Sequence, residues 1–156
     1  MTKMMLILVA LVTLLACAPA KTAEDIARDE RTYMAKLTSS YHDIDNCLIP
    51  VSLALSEPEI SNSSWRLKCD ISTSSLSAAV YTGNKLIAPS SLSYIDTPYK
   101  QALAHFSSAI SLSNKGLRYY DEELIYQANA EFELAAPYYV QARDLVNEAK
   151  TARGIQ

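Results

Sequence analysis

Histidine and cysteine are few in this 156-residue chain, and the side chains that could carry enzyme chemistry are not spaced so that they act together. His42 and His105 are the only imidazoles, and each adjoins an apolar helical position, which is typical of a surface or boundary histidine. Serine is abundant, but no Gly-x-Ser-x-Gly motif accompanies it. Glu122 and Glu123 are adjacent, and adjacent side chains on a helix point in different directions instead of forming an acid–base pair. We therefore expect no catalysis and no cofactor.

Cys17 stands in a different context, because it follows a short apolar N-terminal segment. Lys3 supplies a positive charge, and Met4–Leu15 is a run of twelve residues that is apolar except for Thr13. A helix needs about 20 residues to cross a bilayer core, so this run is short for a membrane span. It has the length of the apolar part of a signal peptide. The residues Leu14-Leu15-Ala16-Cys17 resemble the lipobox of prokaryotic lipoproteins.

The resemblance to this family implies that the chain is cut before Cys17 and that the Cys17 sulfur carries a diacylglycerol. Residues 1–16 are then a cleaved signal peptide, and residues 17–21 are a lipidated tether. The resemblance also implies an exported protein, anchored to a membrane by its lipid on the periplasmic or outer face of the cell envelope. The alternative is ordinary secretory cleavage after Ala20, within Ala18-Pro19-Ala20. The resemblance covers residues 1–17 alone.

Cys47 and Cys69 remain as an even pair once Cys17 is lipidated. Disulfides form readily in exported proteins, and we expect one here, closing a segment of 22 residues. A loop of that length stabilises the fold by about 3 kcal/mol in the chain-entropy view. Two free thiols are the alternative, if the compartment is reducing. The spacing contains no Cys-x-x-Cys motif, so we expect no metal site.

The composition is that of a folded protein with a mildly acidic surface. Hydrophobic residues make up 49% of the chain and charged residues 20%, which is typical of one soluble domain. Removing residues 1–16 takes Lys3 away and leaves 13 basic residues against 17 acidic ones, a net charge of −4. This balance argues against a nucleic acid partner. It also predicts that an anionic membrane surface does not attract the protein as a whole.

Helical periodicity runs through the chain after residue 21. Apolar residues recur at helical spacing over a first helix of about 23–48, which Pro50 is expected to end. A second helix is expected over 64–84, or from Thr73 onward, because this segment contains many weak helix formers. Ser-rich loops are predicted over 50–63 and 85–96.

Two further helices carry seven-residue apolar repeats, which favour antiparallel packing at a shallow angle. The first is expected to begin at Thr97-Pro98, with Thr97 as its N-cap, and the second near Asp121, with Pro137 kinking or breaking it. Their connecting turn lies at either 114–116 or 119–121. The sequence thus predicts an all-α, antiparallel bundle of three or four helices with long Ser-rich loops, forming a single domain over 22–156. Small residues recur every seven positions beside the first repeat and allow close helix approach: Ala102, Ala109 and Gly116.

The sequences of these two predicted helices share a weak internal repeat, in which similar residues recur 33 positions apart. Ala102, Phe106 and Ala109 reappear as Ala135, Tyr139 and Ala142, and Tyr99 and Leu112 match Phe132 and Leu145. Over about 97–150 this pattern resembles the second helix of a tetratricopeptide repeat, which implies a peptide-binding module. Glu122 and Glu123 depart from the small residues expected in the first helix of such a repeat. An ordinary bundle with small and aromatic residues at its seams explains the same spacing.

Tyrosine is unusually frequent, with ten tyrosines against two phenylalanines and one tryptophan. Tyr119 and Tyr126 lie off the main apolar stripe of the last helix, and tyrosine is enriched at binding surfaces. These two residues are therefore our candidate partner surface, and boundary tyrosines with hydrated hydroxyls are the alternative. The sequence as a whole predicts a lipid-anchored envelope protein with a structural or protein-interaction role. A helical module that binds a ligand or peptide is the second hypothesis.

Overall fold

The computed structural model describes residues 21–155, which form an antiparallel bundle of four helices with no β-strand in that range. The predicted all-α bundle is confirmed. The helices are α1 (Ala23–Leu55), α2 (Ser63–Asn84), α3 (Ser93–Tyr119) and α4 (Glu122–Ala152), with a 3₁₀ turn (Ser90–Leu92) before α3. Within the described range, no helix combines the length and the apolar character needed to cross a membrane.

Helix α1 begins where its sequence provides an N-terminal cap. The Thr22 hydroxyl accepts a hydrogen bond from the Asp25 backbone N–H, and the Asp25 carboxylate accepts one from the Thr22 backbone N–H. The sequence predicted that this helix ends at Pro50, and that prediction is wrong. The helix continues through Pro50 to Leu55. Val51 and Leu55 are fully buried, so burial of these side chains offsets the backbone hydrogen bond that Pro50 cannot donate.

Helix α2 covers the whole predicted segment, so a start at Thr73 is wrong. Its first backbone N–H groups are capped by the Asn62 side chain, which accepts from Ser64 and Trp65. At its other end, the Lys100 ammonium donates to the carbonyl oxygens of Gly83, Asn84 and Leu86. A cation at a helix C-terminus donates hydrogen bonds to carbonyl groups that have no partner within the helix. Its positive charge is also attracted to the negative end of the helix dipole.

Helix α3 starts at Ser93, earlier than the predicted Thr97, and Pro98 lies inside it. Leu92 and Ile95 are fully buried, and their packing accounts for the earlier start. The loops that connect the helices are consequently shorter than predicted, because helices occupy parts of both Ser-rich segments.

Helices α3 and α4 form the most extensive pair in the fold. Their connection lies at 119–121, where Tyr120 adopts a left-handed conformation (φ 57°) and the Asp121 carboxylate caps the Leu124 N–H. Ala102, Ala109 and Gly116 are all buried, as the heptad pattern predicted. Helix α4 continues through Pro137 without a break. The residues that match at a shift of 33 positions therefore lie on α3 and α4, the two helices of one antiparallel hairpin.

Candidate partner surface at one end of the bundle

The bundle has two distinct ends. The near end contains Lys21, the connection 85–92 and the C-terminal residues 150–155, and the Arg153 guanidinium donates to the Glu30 carboxylate there at 2.7 Å. The far end contains the connection between α1 and α2 and the turn between α3 and α4. There the Arg66 guanidinium lies over the Tyr120 ring, 4.5 Å from its centre. Because α1 has 33 residues, the two ends are about 50 Å apart.

The two predicted tyrosines both lie at the far end and both are exposed. Tyr119 has 65% of its surface accessible and Tyr126 has 51%. The structure adds Tyr120, which is 61% exposed because the left-handed turn directs it away from the α3–α4 seam. The sequence pattern did not single out Tyr120, although its place directly before Asp121, the N-cap of α4, marks it as a turn residue. Three exposed tyrosines therefore lie at the far end.

Exposed aliphatic side chains accompany the tyrosines. Ile49 and Leu53 lie one turn apart near the end of α1, and Leu67 and Ile71 lie one turn apart near the start of α2. Each is more than half exposed. We call the following set the far-end surface: Ile49, Leu53, Leu67, Ile71, Tyr119, Tyr120 and Tyr126. The four aliphatic members could not be found from the apolar stripes of the sequence, because each lies off the buried stripe of α1 or α2.

A groove of 420 Å³ lies between α1 and α4, beside the far end. It exists because α1 and α4 contact each other much less than α3 and α4 do. Its apolar lining includes Val51, Phe106 and Phe132, and its polar groups include Ser52 and Glu133. The volume is in the range of small-ligand pockets.

Four tyrosines are not surface residues at all, which accounts for much of the unusual composition. They are Tyr33, Tyr41, Tyr99 and Tyr139, all at most 5% exposed. The Tyr139 hydroxyl donates to the Asp45 carboxylate and the Tyr41 carbonyl, both at 3.1 Å, and Tyr99 shares a 2.7 Å hydrogen bond with Ser40. Burial raises the pKa of Tyr99 to about 12 and raises the pKa of each of the other three further. This cluster joins α1, α3 and α4 and is structural.

The two histidines lie in different surroundings. His42 is exposed on α1. The His105 ring stacks on Tyr138, and its Nδ1 lies 2.8 Å from the Glu131 carboxylate. Within residues 21–155, no serine, threonine or cysteine side chain hydrogen-bonds this imidazole. The His105–Glu131 pair therefore links α3 to α4 and lacks an adjacent nucleophile.

Cys47 and Cys69 are separate thiols in this structure, and the predicted disulfide is not formed in it. The Cys69 sulfur lies 3.5 Å from the carbonyl oxygen of Ala54, with which it hydrogen-bonds. Cys47 lies seven residues earlier on α1, about 10 Å along the helix axis. Disulfide geometry requires Cα atoms within about 7 Å, so to form the bond Cys69 must leave the Ala54 carbonyl and approach Cys47. The disulfide stays a prediction for an oxidised form.

Two predictions remain, lipid attachment at Cys17 and the absence of a metal site. Cys17, the predicted lipid attachment residue, lies outside the described residues. Within residues 21–155, no group of three or more His, Cys, Asp or Glu side chains is placed to hold a metal ion.

No family model, curated protein or solved structure matches the chain. The fold and the surface therefore define its class, a four-helix bundle with an apolar, tyrosine-rich end.

Proposed function

We propose that this protein is a lipid-anchored protein of a prokaryotic cell envelope that binds a protein partner through its far-end surface. The role is structural or adaptor-like and needs no catalytic step. Anchoring through Cys17 is supported by Leu14-Leu15-Ala16-Cys17 at the end of an apolar segment. The protein is then exported and faces the periplasm or the outside of the cell.

One observation carries the partner-binding part of the proposal. Seven large apolar or tyrosine side chains are exposed around one end of the bundle, and that end is opposite the one where α1 begins. Lipid on Cys17 holds the near end at the membrane, because Cys17 is only four residues from Lys21. The far-end surface then projects about 50 Å from the bilayer. Exposed apolar surface of this kind is where partner proteins bind when the side chains form one patch.

Mass spectrometry of the protein purified from its own membranes tests the anchor. We expect a mature chain that begins at Cys17 and carries a diacylglycerol. A mature chain that begins at Lys21, or one that retains Met1, would show the proposal of lipidation to be wrong. Cys17→Ser is expected to release the protein from the membrane or to leave it unprocessed.

Site-specific photocrosslinking in intact cells tests the far-end surface. A photoreactive amino acid at Tyr119 or Tyr126 is expected to yield one discrete protein adduct. The matched control is Tyr81, which is 62% exposed on α2 close to the near end. Because exposure is nearly equal, adducts at Tyr81 of the same size and yield would indicate non-specific collision and contradict the proposal.

The groove between α1 and α4 favours a second function, a module that binds a small ligand or peptide. Phe106 and Phe132 supply aromatic lining, and Glu133 is the charged residue in its lining. Ala136→Trp fills the groove from the exposed side of α4 without changing the far-end tyrosines. If the groove is the binding site, Ala136→Trp abolishes binding and Tyr119→Ser has no effect. If the far-end surface is the binding site, Tyr119→Ser weakens binding and Ala136→Trp has no effect.

A further inference from the structure

The most exposed apolar side chain described in the structure lies at the near end. Ile87 is 88% exposed at the tip of the loop 85–89, directly after α2. This loop is held in place, because the Lys100 ammonium binds the carbonyl oxygens of Gly83, Asn84 and Leu86 at 2.7 to 3.1 Å. The fold thus presents an isoleucine side chain to solvent from a loop that hydrogen bonds hold in place.

A cleft of 430 Å³ lies between this loop and the first turns of α1. Three lysines line it, namely Lys21, Lys36 and Lys85, together with the carboxylate of Asp29. Lys21 pairs with Asp29 at 2.6 Å, so Lys36 and Lys85 give the cleft its net positive charge. The Lys85 ammonium is positioned over the Tyr81 ring, 4.1 Å from its centre.

Charge is distributed unevenly along the bundle. The near end, comprising 21–40, 82–100 and 141–155, has nine basic and seven acidic residues. The remaining described residues have four basic and ten acidic residues. The net charge of −4 therefore consists of +2 at the near end and −6 elsewhere. The expectation that the whole acidic protein is not attracted to an anionic surface does not extend to this end.

We propose that the loop 85–89 and the lysine cleft beside it form a second membrane contact, in which Ile87 enters the bilayer interface and Lys36 and Lys85 bind phosphate groups of anionic lipids. Membrane-surface binding combines burial of apolar side chains at the interface with attraction of basic side chains to anionic lipids, and Ile87 with Lys36 and Lys85 supplies both. The contact rests on the proposed lipidation, since Lys21 lines the cleft and lies at most about 14 Å of extended chain from Cys17. It holds the bundle upright and directs the far-end surface away from the membrane.

Quenching of tryptophan fluorescence by brominated lipid tests the contact. The full-length lipidated protein carrying Ile87→Trp is reconstituted into vesicles of phosphatidylglycerol and bromine-labelled phosphatidylcholine. We expect loss of the added emission. Leu53→Trp is the matched control, because Leu53 is 74% exposed at the far end. The native Trp65, about 28 Å along α2 from the loop, is the internal reference. Equal quenching of the two variants, or none in the Ile87→Trp protein, would overturn the proposal.

A second arm separates the lipid surface from a soluble ligand. Lys36→Glu with Lys85→Glu is expected to weaken the quenching, whereas Lys68→Glu with Lys115→Glu, two exposed lysines of the far half, is expected to leave it unchanged. Glycerol phosphate that binds with the same lysine dependence, without any quenching of the Ile87→Trp protein, would assign the cleft to a free ligand and overturn the membrane contact.

Mass spectrometry of the same preparation separates the two proposals. A lipidated Cys17 without quenching refutes the contact alone. An unlipidated Cys17 refutes the proposed anchor and the contact that depends on it.

Discussion

Phe106 is the side chain around which α3 and α4 pack. It is 2% exposed, and its ring lies 5.4 Å from Tyr139 and 6.0 Å from Phe132. Phe106→Ala leaves a cavity that the neighbouring helices fill incompletely, so we expect a loss of about 3–5 kcal/mol in the free energy of unfolding. Gln101→Ala, on the exposed face of the same helix, should change it by less than about 0.5 kcal/mol. Urea melts measure both values, and equal melts would show that Phe106 is not core.

The cysteines provide a second prediction at this scale. Cys47 is partly exposed, whereas Cys69 is 1% exposed and burial raises its pKa to about 11. The thiolate is the reactive form, and partial burial raises the pKa of Cys47 as well. We therefore expect an alkylating reagent to modify the accessible Cys47 slowly, and Cys69 only after unfolding. Mass mapping of the unreduced native protein reads out both sites. Protection of both cysteines that disappears on reduction would show that the predicted disulfide forms after all.

Gly116 sets how closely α3 approaches the start of α4. A Cβ built at this position would lie 2.9 Å from the Asp121 carbonyl oxygen and 2.7 Å from the Ile125 Cδ1. Backbone cannot retreat as a flexible side chain can, so we expect Gly116→Ala to destabilise the fold by about 1–3 kcal/mol. The exposed Ser111 of α3 offers the control, since Ser111→Ala should be neutral or slightly stabilising in a helix. Thermal melts decide, and a Gly116→Ala protein as stable as the wild type would contradict this packing.

Helix existence could be predicted from the sequence, and helix ends could be predicted only where caps decide them. Asn62 and Asp121 are caps whose side chains reach backbone N–H groups within three residues, so α2 and α4 begin close to the predicted positions. Pro50 and Pro98 were misleading because local proline rules compete with burial that depends on other helices. Val51, Leu55 and Ile95 are fully buried against residues distant in sequence, and no local pattern contains that information.

The candidate site was predictable in part for a related reason. Tyr119 and Tyr126 could be found because they depart from an apolar stripe, which is a property of one helix. Ile49 and Leu67 belong to the same end of the molecule only once α1 and α2 are known to be antiparallel. The positive near end likewise appears when 21–40, 82–100 and 141–155 are brought together by the fold. Charge totals for the chain conceal this polarity.

The buried tyrosines join three helices, so their ionisation should affect the whole molecule. The pKa of Tyr99 rises from 10.0 to about 12 because its hydroxyl is buried. The neutral form is thus favoured in the folded state, and above pH 10 the unfolded chain binds fewer protons than the folded one. Stability is therefore fully present below pH 10 and is lost as pH rises through 12, by about 3 kcal/mol for this residue.

Urea unfolding at increasing pH measures this loss. The urea concentration at the midpoint is expected to fall as pH rises from 10 to 12 through Tyr99. Cys69 begins the fall earlier, between pH 9 and 11, because burial raises its pKa from 9.0 to about 11. Tyr99→Phe removes one ionising group, so its midpoint should start lower, through loss of the Ser40 hydrogen bond, and then fall less steeply. Tyr119→Phe should follow the wild type, since that side chain is already exposed when folded. If the Tyr99→Phe and wild-type midpoints fall with the same slope, ionisation of Tyr99 does not couple stability to alkaline pH.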